Sequence, residues 1–386
     1  MRKQYRRFAS QTPARVPSAR HRAAPRMASL YRALVFSARG LGQYLADGYD
    51  AAKLPPMDDR PANALAGKTI VITGGSRSIG LALGVECVSR GARVHVVCRS
   101  PESGAAAVET LRAAARYGGT CELHVVDLSS LAQTRALVER WTSGGGALHA
   151  LVCNAGVMRH ERTETAEGFE YNFAVNTLGT HVLIAGLRPV LGRTATSEAS
   201  LGASGYAPRV VVVSSAGMLT EPLEIEDLEF KKHRKFDAVR QYARGKRHQV
   251  AMVERWARLE GEKSGRGHVG YYSMHPGWCE TDGVASSLPK FHERMRGRLR
   301  TPAQGADTIL YLLTEHANKL KTGEFYFDRE PVSKHITGGF TGYAASAVDE
   351  LVKKLDALAT EGSVRGERGM LGVGRQGSHN SFMHLR

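Results

Sequence analysis

Tyr242 and Lys246 stand four residues apart in the run QYARGKRH. On a helix that spacing brings both side chains out on one face. A phenol is a poor proton donor near neutrality, and lowering its pKa from about 10 to about 7 takes about 4 kcal/mol. An ammonium about 4 Å away, at an effective dielectric of about 20, supplies about that much. The pair is therefore a plausible proton-exchanging unit, but the spacing alone is common and needs company. Ser214 and Ser215 end the β-branched run VVVVSSAG, offering a hydroxyl to a substrate oxygen, and Asn154, Ala155 and Gly156 end another in CNAGV. Asn176 falls in a long helical segment, and Pro276, Gly277 and Thr281 follow a further run, HVGYYSM.

A second group of residues reads as a phosphate cradle. VITGGSRSIG turns from a β-branched run into a helix through Thr73, Gly74, Ser76, Arg77, Ser78, Ile79 and Gly80. Phosphates bind where backbone N–H groups at a helix N-terminus are not screened by side chains. Ser78 stands where such loops usually carry glycine. Serine is small and a good helix N-cap, yet it is strained if the position requires a positive φ, so binding is expected, at reduced strength. The next strand ends VVCRS, with Arg99 where an acid would bind the free ribose hydroxyls of NAD. Arg99, with Arg77 opposite, can form charge-assisted bonds to a 2′-phosphate, which favours NADP(H); the alternative is two solvated surface arginines.

These groups must be positioned by the alternation of strands and helices. Strand-like runs occupy 69–73, 93–97, 122–126, 150–153, 209–214, 268–274 and 324–327, separated by helix-length segments. Continuous apolar strands alternating with helices give a parallel sheet buried on both faces. The expected fold is α/β, a doubly wound parallel sheet of Rossmann-like type. It forms a single domain over 64–358 with an N-terminal helical extension and a C-terminal tail. Residues 1–26 read as a basic leader, 27–63 as an amphipathic helix and linker, and 359–386 as a disordered tail. Leu30, Leu34, Leu41 and Leu45 keep helical spacing, and are expected to pack on the body of the protein or to lie weakly on a membrane surface. The Gly/Ser/Ala/Thr-rich stretch 192–208 and the charged stretch 216–237 read as surface loops, the first mobile.

The formal charge of +16 is unevenly spread: residues 1–46 hold ten Arg or Lys and no acid. An Arg-rich, acid-free leader resembles a mitochondrial targeting peptide; otherwise it is a plain basic extension and the protein cytoplasmic. The body is left with an ordinary charge, so nucleic acid is not an expected partner. A nucleic-acid-binding role would rest on the leader and the basic cluster 231–248. Five scattered cysteines without metal-ligand spacing read as buried reduced thiols, with no metal. No apolar run is long enough to span a bilayer.

Taken together, TGGSRSIG (less its middle glycine), VDL at Asp127, NAG, Asn176, Ser215, YARGK and PGW resemble the short-chain dehydrogenase/reductase family over roughly residues 66–330. The resemblance implies that Tyr242 is the general acid/base, that Lys246 lowers its pKa and binds the nicotinamide ribose, and that Ser215 orients the substrate oxygen. Asn176 would hold the water of a proton relay. Asp127 and Leu128 would lie near the adenine, Asn154–Gly156 along the cofactor, and Pro276–Thr281 beside the nicotinamide. It also implies a small-molecule carbonyl or alcohol substrate of apolar character and a homo-oligomer. Ser215 and Tyr242 are farther apart than in the shortest members of the family, and the extra loop carries KKHRK, which could wall the substrate pocket. The rival reading is a catalytically silent NADP(H)-binding or scaffold protein.

Overall fold

β-Branched residues stiffen χ1 and pack well on a pleated surface, so runs of them buried on both faces become central strands. The computed structural model describes residues 19–56, 60–200, 206–262 and 268–373. Its strands are β1 (Thr69–Thr73), β2 (Arg93–Cys98), β3 (Thr120–Val125), β4 (Ala150–Cys153), β5 (Arg209–Val213), β6 (Gly270–Met274), β7 (Phe325–Phe327) and β8 (Glu330–Val332). They form one sheet in the order β3-β2-β1-β4-β5-β6-β7-β8. Every neighbouring pair is parallel except β7–β8. The first seven fall within two residues of the runs read from the sequence. The eighth, EPV, was not foreseen, because three residues centred on proline carry no strand signal.

The helices are α1 (Ala19–Arg39), α2 (Ala46–Ala51), α3 (Ser78–Ser89), α4 (Pro101–Ala114), α5 (Leu131–Ser143), α6 (Tyr171–Phe173), α7 (Thr180–Ser200), α8 (Ala238–Gly261), α9 (Asp282–Ser287), α10 (Pro289–Arg294), α11 (Pro302–Thr314) and α12 (Ala345–Val373). On one sheet face Leu83 of α3 and Ile309 and Leu312 of α11 pack against Ile70, Ile72 and Val211. On the other, Leu137 of α5, Leu183 of α7, Met252 of α8 and Leu351 of α12 pack against Val71, Leu151 and Val212. Both faces are covered, as a parallel sheet requires.

Four sequence expectations are corrected. First, α1 begins at Ala19, inside the segment assigned to the leader, whose residues 1–18 lie outside the described residues. Second, the leucine stripe does not pack on the body: Leu30, Leu34 and Leu41 are 69%, 70% and 51% exposed, and only Leu45 is buried. The opposite face docks instead, through Arg32, Val35 and Phe36. Arg32 donates to Thr220 O (2.7 Å) and Gly339 O (3.0 Å), and Gly40 lets the Trp278 ring approach where any Cβ would collide with it. Third, 192–200 is not a loop but the end of α7, with Thr194 and Ala195 buried. Thr194 Oγ1 accepts from Leu148 N (3.0 Å), a tertiary bond that composition does not reveal. Residues 201–205 lie outside the described residues. Fourth, α12 continues to Val373, through the start of the expected disordered tail; residues 374–386 lie outside the described residues.

The stretch 216–237 is largely irregular, opening on a 3-10 turn, Ala216–Thr220, with Met218 and Leu219 in a small core. Glu221 within it accepts from Arg240 (3.0 and 3.1 Å) and Arg244 (3.4 Å). Arg244, Lys246, Arg247 and His248 are all buried, so this half of the basic cluster is spent inside the protein. All five cysteines are free thiols, and four are buried. Among the described residues no helix is long and apolar enough to cross a membrane.

Candidate active site

At the carboxyl ends of β1 and β4 two turns hold each other. Thr73 Oγ1 accepts from Asn154 N and Ala155 N (both 3.0 Å), and Asn154 Nδ2 donates to Thr73 O (3.0 Å) and Gly74 O (3.2 Å). Gly74 has φ +66°, a conformation glycine adopts without cost. A Cβ on Gly80 would strike Gly74 O and come within 2.7 Å of Asn154 Nδ2. The glycine turn is thus fixed by the Asn-Ala-Gly turn, leaving a bare backbone surface above the start of α3.

Ser78 is left-handed, with φ +48°. The strain expected of serine at this position is present. The expected capping role is not: the N-cap of α3 is Arg77, without a side-chain capping bond, and the Ser78 hydroxyl faces Asp282 Oδ2 at 3.5 Å. Ser76 Oγ accepts from Ser103 Oγ of α4 (3.2 Å), tying the glycine turn to the next helix. Arg77 caps α3, Arg99 directly precedes Ser100, the N-cap of α4, and both arginines are exposed. Two helix N-termini and two cations therefore border the same turn, a setting suited to a phosphate. Arg99 also donates to Tyr171 Oη (3.2 Å), and Arg159 lies over the Tyr171 ring at 3.4 Å from its centroid. Tyr171 was missed in the sequence, where nothing distinguishes it from a core aromatic.

Asp127 Oδ1 accepts from Ser129 N (2.8 Å) at the end of β3. The Leu128 side chain lies in the core, so only its main chain can face a nucleotide. Ile79 is partly buried against the core beside Gly305.

The reactive groups meet at β4, β5 and α8. Asp237 caps α8, accepting from Arg240 N (3.1 Å), which starts the helix just ahead of Tyr242. Tyr242 and Lys246 follow one turn apart, with the ammonium 5.4 Å from the centre of the phenol ring. The Tyr242 hydroxyl lies beside the Ser215 side chain, whose Oγ accepts from Gly217 N (3.1 Å). Ser214 turns away and donates to Lys246 O (2.8 Å), so the two serines divide into one facing the site and one bracing α8. Lys246 Nζ donates to Val213 O (2.7 Å), and a Cβ on Gly156 would lie 3.3 Å from Nζ and 3.5 Å from Asn176 Oδ1.

Asn176 sits in a π-helical turn, Ala174–Gly179. Its side chain is engaged with Val157, accepting from N (2.9 Å) and donating to O (2.8 Å), while its main-chain carbonyl accepts from Gln249 Nε2 (2.7 Å). Near Tyr242 the expected electrostatics do not hold in this state. Burial pushes the phenol up to about 12 and outweighs the opposing effect of the neighbouring Ser215, while burial also brings Lys246 down to about 7. Desolvation of both partners outweighs the Coulomb attraction between them.

After β6, His275 Nδ1 accepts from Gly277 N (3.0 Å). Gly277 has φ +83°, and a Cβ there would meet Arg300 at 2.5 Å, so this turn closes only around glycine. Thr281 Oγ1 caps α9 by accepting from Val284 N (3.1 Å). The predicted residues thus gather along the carboxyl edge of the sheet in two clusters, a backbone cradle at β1–β2 and a hydroxyl–amine cluster at β4–β5–α8.

A short chain dehydrogenase family model matches residues 68–219. The human protein named dehydrogenase/reductase SDR family member 12 is 38% identical over 86% of this chain and 98% of its own length. Mouse retinol dehydrogenase 11 is 31% identical over 68% of this chain and 78% of its own. Among solved structures, an uncharacterized protein of Mycobacterium paratuberculosis aligns with a TM-score of 0.60 and 23% identity over 80% of this chain and 98% of its own. A Pseudomonas aeruginosa RhlG/NADP active-site complex aligns at 0.52 with 24% identity over 69% and 96%.

Proposed function

The chain belongs to the short-chain dehydrogenase/reductase family of oxidoreductases, and we propose that it interconverts a carbonyl and an alcohol with NADP(H), using Tyr242, Lys246, Ser215 and Asn176. The observation that carries this reading is the Tyr242 hydroxyl placed beside Ser215 with Lys246 one helical turn away. A proton donor, a second hydroxyl and a counter-charge converge there at the edge of the sheet.

The residues present fit a dinucleotide. Gly74 and Gly80 leave backbone where a Cβ would obstruct, and no side chain caps the first turn of α3. Thr73, Gly74, Ser76, Arg77, Ser78, Ile79 and Gly80 would hold the phosphates, and Arg99 with Arg77 the 2′-phosphate. Asp127 and the main chain of Leu128 would face the adenine. Asn154, Ala155, Gly156, Tyr242, Lys246, Pro276, Gly277 and Thr281 would border the nicotinamide half. The cofactor supplies the hydride.

In the reductive direction Tyr242, protonated across neutral pH by its burial, gives its proton to the substrate oxygen. Ser215 donates to that oxygen and holds it in place. The phenolate left behind is countered by Lys246, whose proton is loosely enough held to be passed on. Asn176 fixes the Val157 turn beside Lys246, where it would hold the water of a proton relay. Retinol dehydrogenase 11 is named for an apolar alcohol, which supports a substrate of that kind here.

The test compares NADPH and NADH in a thermal-shift titration of wild type, Tyr242→Phe and Arg99→Glu, followed by turnover of apolar carbonyls. Stabilisation by NADPH that survives in Tyr242→Phe while turnover is lost, and that weakens in Arg99→Glu, is the expected result. No stabilisation by either nucleotide, or undiminished turnover in Tyr242→Phe, overturns the proposal and leaves the scaffold reading.

A further inference from the structure

Away from the active site, three potential ligands converge on the outer strands. His95 of β2 is paired in register with Glu122 of β3, and His124 lies two residues further along β3, so the three side chains leave the same face of the sheet. His95 Nδ1 and His124 Nε2 are 2.9 Å apart. One Glu122 oxygen lies 3.6 Å from His95 Nδ1 and the other 3.6 Å from His124 Nε2. All three ligand atoms lie within 4.8 Å of one another.

We propose that His95, Glu122 and His124 form a zinc site that clips edge strand β3 to β2, with a solvent molecule as fourth ligand. Bonds of about 2.0–2.1 Å at tetrahedral angles place neighbouring donor atoms about 3.3 Å apart. The two nitrogens already stand near that distance, and a swing of the exposed Glu122 carboxylate brings one of its oxygens within range of both. Two imidazoles and a carboxylate are a donor set that zinc accepts readily. Trp141 of α5 packs edge-on against His95 at 4.8 Å between centroids, and the imidazoles stack at 5.2 Å, which fixes the rings before any ion arrives.

Glu122 is 64% exposed and can swing to close the site. Arg93 and Arg140 act on the two rings from nearby and work against a cation. Together with the open fourth position they place the expected affinity in the micromolar range rather than that of a closed four-ligand site. The spacing signal was absent from the sequence, because the ligands come from two strands brought together only by the parallel register.

The experiment titrates metal-stripped full-length protein with zinc chloride by calorimetry, and with cobalt(II) to read coordination geometry from its visible spectrum. Glu122→Gln removes one exposed ligand with little risk to folding, and His124→Gln removes a half-buried one. The expected result is one ion per chain, tetrahedral cobalt bands, at least tenfold weaker binding in Glu122→Gln and none at this stoichiometry in His124→Gln. With fifteen histidines in the chain, binding that is equal in wild type and Glu122→Gln identifies adventitious sites and overturns the proposal. So does wild-type binding weaker than about 100 μM, or cobalt spectra without tetrahedral bands.

Discussion

Ser78→Gly should stabilise the protein. A left-handed residue with a Cβ costs about 1–2 kcal/mol, and Ser78 has φ +48°. Against this, glycine gives the unfolded chain more freedom to lose, about 0.4–1 kcal/mol. The hydroxyl does little to offset the strain, since its contact with Asp282 is long at 3.5 Å and exposed, and it does not cap α3. The balance is a gain of about 0.5–1 kcal/mol. For a chain of 386 residues that corresponds to a rise of about 1 °C in Tm, so denaturant unfolding is the better assay, with Ser78→Ala as control. Alanine keeps the Cβ and its strain but lacks the hydroxyl, and should stay within about 0.5 kcal/mol of wild type. NADPH should bind Ser78→Gly at least as tightly as wild type. A loss of stability in Ser78→Gly, or a loss of affinity shared by the glycine and alanine variants, would show that the hydroxyl is the important group and refute the strain argument.

Lys246 carries a pH signature. Its folded pKa of about 7 lies below its ordinary value of 10.5, so between those values the unfolded chain binds more protons and stability rises with pH. The penalty of the buried ammonium is fully present below pH 7 and gone above 10.5. The stability of wild type relative to Lys246→Met should therefore climb by up to about 1.4 kcal/mol per pH unit between pH 7.5 and 9.5; a flat or falling difference in urea melts contradicts the assignment. Gly80→Ala places a methyl against the backbone atom Gly74 O and against Asn154 Nδ2, which is held by its bonds to Thr73 O and Gly74 O. It should cost about 1–3 kcal/mol and abolish nucleotide binding, and a variant that still binds in a thermal-shift assay would show that the cradle yields. The exposed Met27, Leu30, Leu34 and Leu41, in a segment with ten basic residues and no acids, should give weak, salt-sensitive sedimentation with anionic vesicles but not neutral ones. Leu30→Glu with Leu34→Glu should remove it, whereas a wild type that stays with the supernatant excludes the surface contact.

The sheet was legible because a strand buried on both sides must be apolar without interruption, and TIVIT or RVVVV cannot easily be anything else. The Tyr242–Lys246 pair was legible as well, since helical spacing and a preceding Asp237 cap are local facts. What was not legible depends on which way a face turns. Leu30 and Leu34 define a stripe in sequence, but periodicity gives an orientation relative to the helix axis, not to the protein, and here Arg32 and Phe36 face inward. The stretch 192–200 is poor in large apolar residues, yet Thr194 and Ala195 continue a helix because they fit against neighbours far along the chain. Lys246 was assigned its charge from chemistry alone, whereas its pKa is set by desolvation that only the folded surroundings supply.

The segment from Tyr31 to Pro55 is held by side chains and carbonyls from the far end of the chain. Arg300, 1% exposed, donates to Gln43 O (2.7 Å) and Leu45 O (3.3 Å) while paired with Asp328 (2.9 Å). Trp278 N donates to Tyr44 O (2.7 Å), Ala46 N to Arg298 O (2.9 Å), and Tyr31 Oη to Thr337 O (3.0 Å). During synthesis this segment leaves the ribosome well ahead of its partners, which emerge about 250 residues later. At roughly 5–20 residues per second it waits tens of seconds with Val35, Phe36 and Tyr44 uncovered. A segment made early is therefore among the last to find its place, and chaperone demand should fall on that interval.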